Sequence, residues 1–172
     1  MREEGEGFRV RDEEKTQIVP LMRGGEPMAF GVSKALKQAA FAHSKSFNDI
    51  DEGHFEGKKT LLLNDPVVDT GKSIVKYLVP LREKLPAVRI VVVAGVMQEE
   101  AVKDTREGTF GHHLRNDPNL MHVALRSSAR SFEGNETTDT GIICLIEQTY
   151  RASLGRASAG LRMRRGIQRQ KD

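Results

Sequence analysis

With 172 residues, 38% of them hydrophobic and none tryptophan, the chain is sized for one domain with a layered core, closer to a modest α/β fold than to a β-sandwich. No apolar run approaches the ~20 residues of a membrane span, no signal-peptide core follows the charged start, and the lone Cys144 can form no internal disulfide, so a cytoplasmic protein without membrane contact is expected. The formal charge of +3 belongs to the end of the chain: residues 151–172 hold seven basic side chains and one acidic one, leaving 20 basic against 23 acidic over residues 1–150. A nucleic-acid-binding domain that is basic throughout is therefore excluded, and only a basic appendage remains.

Residues 1–15 alternate Arg and Glu with glycine and have little to bury, which predicts a charged, flexible arm. Order is expected to begin with a short apolar strand over residues 17–22. Arg23, Gly24 and Gly25 end it, and a helical pattern follows through Phe30, Val32 and Leu36 to Ala40. Residues 41–59 read as a polar loop in which His43 and His54 are exposed. The run Leu61-Leu62-Leu63 then has the character of a strand buried on both faces of a parallel sheet, expected to stop at Pro66, which cannot donate to a central ladder. Beyond it lie Asp69-Thr70-Gly71-Lys72-Ser73 and a helix from Ile74, expected to be ended by the punctuation of Pro80 and Pro86. Residues 89–96, β-branched and unbroken, give the clearest strand and complete a βαβ unit. A helix is predicted to start over Gln98 to Lys103, with Thr109 to Arg115 continuing or replacing it and His112 and His113 on the surface, then a strand over residues 119–125. No paired His or carboxylates stand at zinc-ligand spacing. Residues 151–172 make only a ragged apolar face and read as a basic, disordered tail, with non-specific attraction to RNA or an acidic partner as the alternative.

The stretch Thr60–Ser73 organises the rest. A strand, a tight polar loop and a helix N-terminus suit a phosphate, because the first helical turn leaves N–H groups unpaired and carries partial positive charge. Gly71 admits close backbone approach, Thr70 and Ser73 add hydroxyls and Lys72 adds a charge. Asp65 and Asp69 fit a ligand that also carries ribose hydroxyls or magnesium. A P-loop is excluded by Pro66, which stands where its first glycine belongs. A second Asp-Thr-Gly at residues 139–141 brings an aspartic protease to mind, but those enzymes are almost wholly β and the first copy precedes a helix. An ordinary strand-to-helix turn with solvated polar residues is the plain alternative.

The acidic residue, the short apolar spacer and Asp-Thr-Gly-Lys-Ser resemble the ribose-5-phosphate loop of phosphoribosyltransferases. Asp65-Pro66 at its start is most similar to the uracil phosphoribosyltransferase branch. Leu21-Met22-Arg23-Gly24-Gly25 resembles that branch's pyrophosphate segment, and Thr138-Asp139-Thr140-Gly141 its late, base-reading loop. The resemblance implies an α/β fold, a single domain over residues 16–150 whose mainly parallel twisted sheet is flanked by helices. It implies transfer of the phosphoribosyl group to uracil to give UMP, a step of pyrimidine salvage. Thr70, Gly71, Lys72 and Ser73 would anchor the 5-phosphate; Arg23, Gly24 and Gly25 the pyrophosphate; Asp65 and Asp69 the ribose; and Thr138, Asp139, Thr140 and Gly141 the uracil and ribose. Mg2+ would arrive with phosphoribosyl pyrophosphate, Asp139 being the side chain placed near it, and a homodimer is implied.

Two departures qualify the match. No arginine occurs between Arg23 and Arg82, where the family carries a flap arginine, so Lys45 or His43 would have to serve. Ile142 and Ile143 replace the usual Asp-Arg after the base loop. Both departures favour a second reading, a module that binds phosphoribosyl pyrophosphate or a nucleotide without turning it over.

Overall fold

The computed structural model describes residues 11–22, 24–43 and 52–129. The arm over residues 1–10, Arg23, Lys45, the base loop Thr138–Gly141 and the basic tail lie outside them. Within them the expected α/β architecture is present: five parallel strands in the order β2-β1-β3-β4-β5, with helices packed on both faces. In chain order the elements are β1 (Thr16–Pro20), α1 (Gly25–Ala35), β2 (Ala40–Phe41), β3 (Thr60–Val68), α2 (Lys72–Lys84), β4 (Arg89–Gln98), α3 (Glu99–Lys103), α4 (Phe110–Asn116) and β5 (Leu120–Ser128).

Alternation along the strands builds the two layers. Leu61, Leu63, Ile90 and Val92 face α2 and α4, where Ile74, Leu78, Leu81 and Phe110 close the larger core. Ile18, Leu62, Val91 and Val93 face the opposite side, covered by Ala29, Val32 and Leu36 around α1. At the far edge β5 is covered on one face only by the described residues. Val123 and Leu125 are 57% and 88% exposed on the other.

Four local expectations need correction. First, β3 does not stop at Pro66 but runs on to Val68 beside β4. Asn64 C=O accepts from Leu21 N–H, so by two-residue alternation Pro66 turns its missing donor to the β1 side, where β1 has already ended at Pro20. Second, Ala40 is not helical: α1 ends at Ala35, and Ala40–Phe41 pair with Gln17 and Ile18 as a short edge strand. Third, Pro80 sits inside α2 rather than ending it, because burial of Leu78 and Leu81 on either side outweighs one lost helical bond. Fourth, His112 and His113 are half-buried and their rings meet edge-on at 5.7 Å. Burial, and then His112, draws His113 below its ordinary pKa.

Of the arm expected over residues 1–15, residues 11–15 are tied to the fold. Glu13–Lys15 form one 3-10 turn, Gln38 N–H donates to Glu13 Oε1 (2.7 Å), and Lys59 Nζ pairs with Asp12 (3.1 Å).

Candidate functional site

In an open parallel sheet, ligands bind at the carboxyl ends of the strands, where neighbouring strands send their connections to opposite faces. Here that point lies between β1 and β3, since β1 leads into α1 on one face and β3 into α2 on the other. The two sequence patches around residues 24 and 65 therefore meet. Leu21 N–H donates to Asn64 C=O and Gly25 N–H to Leu21 C=O, each at 2.8 Å. A Cβ on Gly25 would lie 2.2 Å from Asn64 O, and one on Gly24 3.0 Å from Pro66 Cγ. Only glycine lets the start of α1 press this closely on β3.

The loop after β3 has the expected form. Gly71 adopts φ 75°, ψ 3° and stands immediately before α2. Val75 N–H reaches Gly71 C=O at 3.0 Å, which leaves the N–H groups of Lys72, Ser73 and Ile74 without helical acceptors. Among the described residues no side chain caps them, and Asp69, Thr70, Lys72 and Ser73 are exposed beside them. Three anion-friendly side chains, Thr70, Lys72 and Ser73, thus gather with these main-chain N–H groups at the positive end of a helix.

Asp65 has a different character. It is half-buried on β3, its Oδ1 accepts only from Val67 N–H (3.3 Å) among the described residues, and burial pushes its carboxyl up to about 6. A carboxylate withdrawn from water, with one weak donor, is better satisfied once hydroxyls or a cation reach it.

A cleft of about 770 Å³ opens beside the loop, bounded by Asp69, Thr70 and Lys72 on one side and by Gln98, Glu100 and Arg106 on the other. Arg106 is held by Asp104 through two contacts, of 2.9 and 2.7 Å, which keep Asp104 low, at about 2. Among the described residues, no group of three His, Cys, Asp or Glu could hold a metal, and no helix is long and apolar enough to cross a membrane.

Sequence reasoning missed Phe110, whose Cβ would stand 2.5 Å from a Cβ on Gly71. It also missed buried Gln98 on the cleft wall. Neither has a local signal; both reach the site by long-range packing. The bond between Glu26 and His43, 3.3 Å at Nδ1, was missed for the same reason.

An open parallel sheet with a glycine-opened strand–loop–helix at its switch point defines an α/β protein of the class whose ligand sites lie at the carboxyl ends of the strands. The chain matches the uracil phosphoribosyltransferase family over residues 2–114 and belongs to it. The matched stretch includes both patches at the sheet edge and stops before Thr138. Among solved structures, the chain is similar to the AQ2163 protein from Aquifex aeolicus, at 14% identity over 73% of this chain and 61% of that one, with TM-score 0.54. It is also similar to the Helicobacter pylori xanthine-guanine-hypoxanthine phosphoribosyltransferase, at 19% identity over 63% and 67% of the two chains, TM-score 0.41. The first likeness bears on the fold alone, and this chain spans about three-fifths of the Aquifex protein's length.

Proposed function

We propose that this domain is a phosphoribosyltransferase that joins the ribosyl group of phosphoribosyl pyrophosphate to uracil, giving UMP and pyrophosphate. Family membership supports the reaction class. The observation that carries the reading is the loop of exposed Thr70, Lys72 and Ser73 around the uncapped start of α2. In this reading the 5-phosphate sits on the free N–H groups of that turn, held by the hydroxyls and Lys72. Asp65 and Asp69 take the ribose hydroxyls, and the Gly24–Gly25 turn, with Arg23, takes the pyrophosphate. Thr138, Asp139, Thr140 and Gly141 read the base.

The reaction breaks the bond from C1 to pyrophosphate with little help from a nucleophile on the protein. Orientation and placement of charge therefore supply most of the rate. Magnesium fits the residues present. It commonly keeps one or two carboxylates together with substrate phosphates, and Asp65 is a carboxylate whose burial a cation would relieve. Asp65 and Asp139 would hold it, and when bound it neutralises the pyrophosphate. The working unit in this reading is residues 16–150, flanked by a charged arm and a basic tail, assembled as a homodimer.

The test is calorimetry with phosphoribosyl pyrophosphate and magnesium, repeated with uracil. Thr70→Val with Ser73→Ala should weaken binding at least tenfold without altering the melting temperature, since both side chains are exposed. Binding unchanged in that variant would remove the 5-phosphate from this loop. The absence of arginine between Arg23 and Arg82 favours one other reading, a binding module without turnover. Binding that uracil leaves untouched would select it.

A further inference from the structure

We propose that Glu26 and His43 form a pair that serves the leaving pyrophosphate: His43 Nε2–H donates to the departing oxygen, and Glu26 positions the ring. This rests on the phosphoribosyltransferase reading, and in particular on pyrophosphate binding at the Gly24–Gly25 turn.

Three observations place the pair. His43 lies two residues past the end of β2, which runs parallel to β1, so it emerges at the same sheet edge as the turn from Leu21 to Gly25. Glu26 is in the first turn of α1, directly after Gly25. His43 Nδ1 stands 3.3 Å from Glu26 Oε1, and its ring is steadied against Phe41 at 4.7 Å and Phe30 at 6.1 Å. Among the described residues 24–43, the other cations, Lys34 and Lys37, lie at or beyond the opposite end of α1.

The chemistry explains why a carboxylate stands there. Alone, Glu26 would repel a polyanion arriving one residue away. With His43 protonated, the same carboxylate accepts from Nδ1–H and fixes the ring so that Nε2–H is free to donate. No contact among the described residues occupies Nε2. The His43 side chain is 67% exposed, and ion pairs that open to water contribute little to stability, so folding gives no strong reason for the pair. In the step itself, the C1–oxygen bond breaks with its electron pair going to pyrophosphate. Uracil N1 forms the new bond to C1 and loses its proton to solvent. His43 keeps its proton and donates a hydrogen bond to the oxygen that gains charge.

The experiment measures the forward kcat, and the KM for pyrophosphate in the reverse reaction with UMP, for the full chain and its variants. His43→Ala should lower kcat about tenfold to a hundredfold and raise the KM for pyrophosphate, leaving the KM for uracil unchanged. His43→Lys should restore much of both, since a cation returns to the position. Glu26→Gln should lower kcat with a smaller change in the KM for pyrophosphate, and Glu26→Asp should recover it. Melting temperatures should stay constant. An active wild type that His43→Ala matches in kcat and in the KM for pyrophosphate would overturn the pair's role and leave the enzyme reading intact. A His43→Lys variant as poor as His43→Ala would overturn the charge argument. A folded wild type that neither binds phosphoribosyl pyrophosphate nor turns over would overturn both.

Discussion

Replacing Asp65 by asparagine should make the ligand-free domain more stable and, at the same time, less able to bind. Burial lifts the Asp65 carboxyl from 3.8 to about 6. Each tenfold change in proton affinity is worth about 1.4 kcal/mol, so holding the ionised carboxylate in place costs the fold about 3 kcal/mol at neutral pH. Because the folded-state value is raised, the folded protein binds the extra proton between pH 3.8 and about 6. The stabilisation is complete below the unfolded value and is lost as pH rises through the folded one. Asparagine keeps an oxygen that can accept from Val67 N–H and has no charge to desolvate. Urea unfolding from pH 4 to pH 8 should show Asp65→Asn exceeding the wild type by up to about 3 kcal/mol above pH 6, the gap closing towards pH 4. Affinity for phosphoribosyl pyrophosphate with magnesium should fall in the same variant. A stability gap independent of pH, or a variant weaker than the wild type at pH 7, would refute the burial argument.

Gly71→Ala combines a left-handed backbone with a 2.5 Å approach to Phe110 and should cost about 2–4 kcal/mol in denaturant unfolding. A side chain at this position therefore perturbs the fold itself, and any change in ligand affinity at residue 71 must be read alongside stability. Phe110→Ala, at a fully buried site, should cost about 3–5 kcal/mol in the same assay. Asp117→Ala breaks its pair with Arg82, which also donates to Leu85 and Val88 carbonyls. Chemical denaturation should report a loss of about 2 kcal/mol. Leu125→Lys, at a residue 88% exposed, should change the unfolding free energy by less than about 0.5 kcal/mol; a larger loss would show that this face of β5 is covered.

The sequence revealed those parts of the fold that depend on short-range pattern. The β-branched run at residues 89–96 and the triple leucine at 61–63 announced the central strands, and Asp-Thr-Gly-Lys-Ser announced the loop, because each carries its signal within a few residues. Where partners decide, the reading faltered. Pro66 is tolerated in β3 only because β1 ends at Pro20, a fact about a strand more than forty residues away. Pro80 stays helical because of what Leu78 and Leu81 meet in the core. Ala40 and Phe41 form a strand because Gln17 and Ile18 offer an edge. In the site, the glycines of both patches were legible as places of close approach. That Gly25 approaches the Asn64 carbonyl and Gly71 the Phe110 ring was not.

The contact between Gly71 and Phe110 has a consequence for how such sequences can vary. The glycine that shapes the loop before α2 is also the floor plate under which an aromatic ring of the core slides. A loop of this shape cannot be grafted onto another α/β scaffold by copying Asp69–Ser73 alone. The recipient must also hold its aromatic neighbour clear of the loop. Within this chain, drift at residue 110 towards smaller side chains would loosen the loop before any loop residue had changed, so the geometry around Gly71 could be lost by substitution outside the loop.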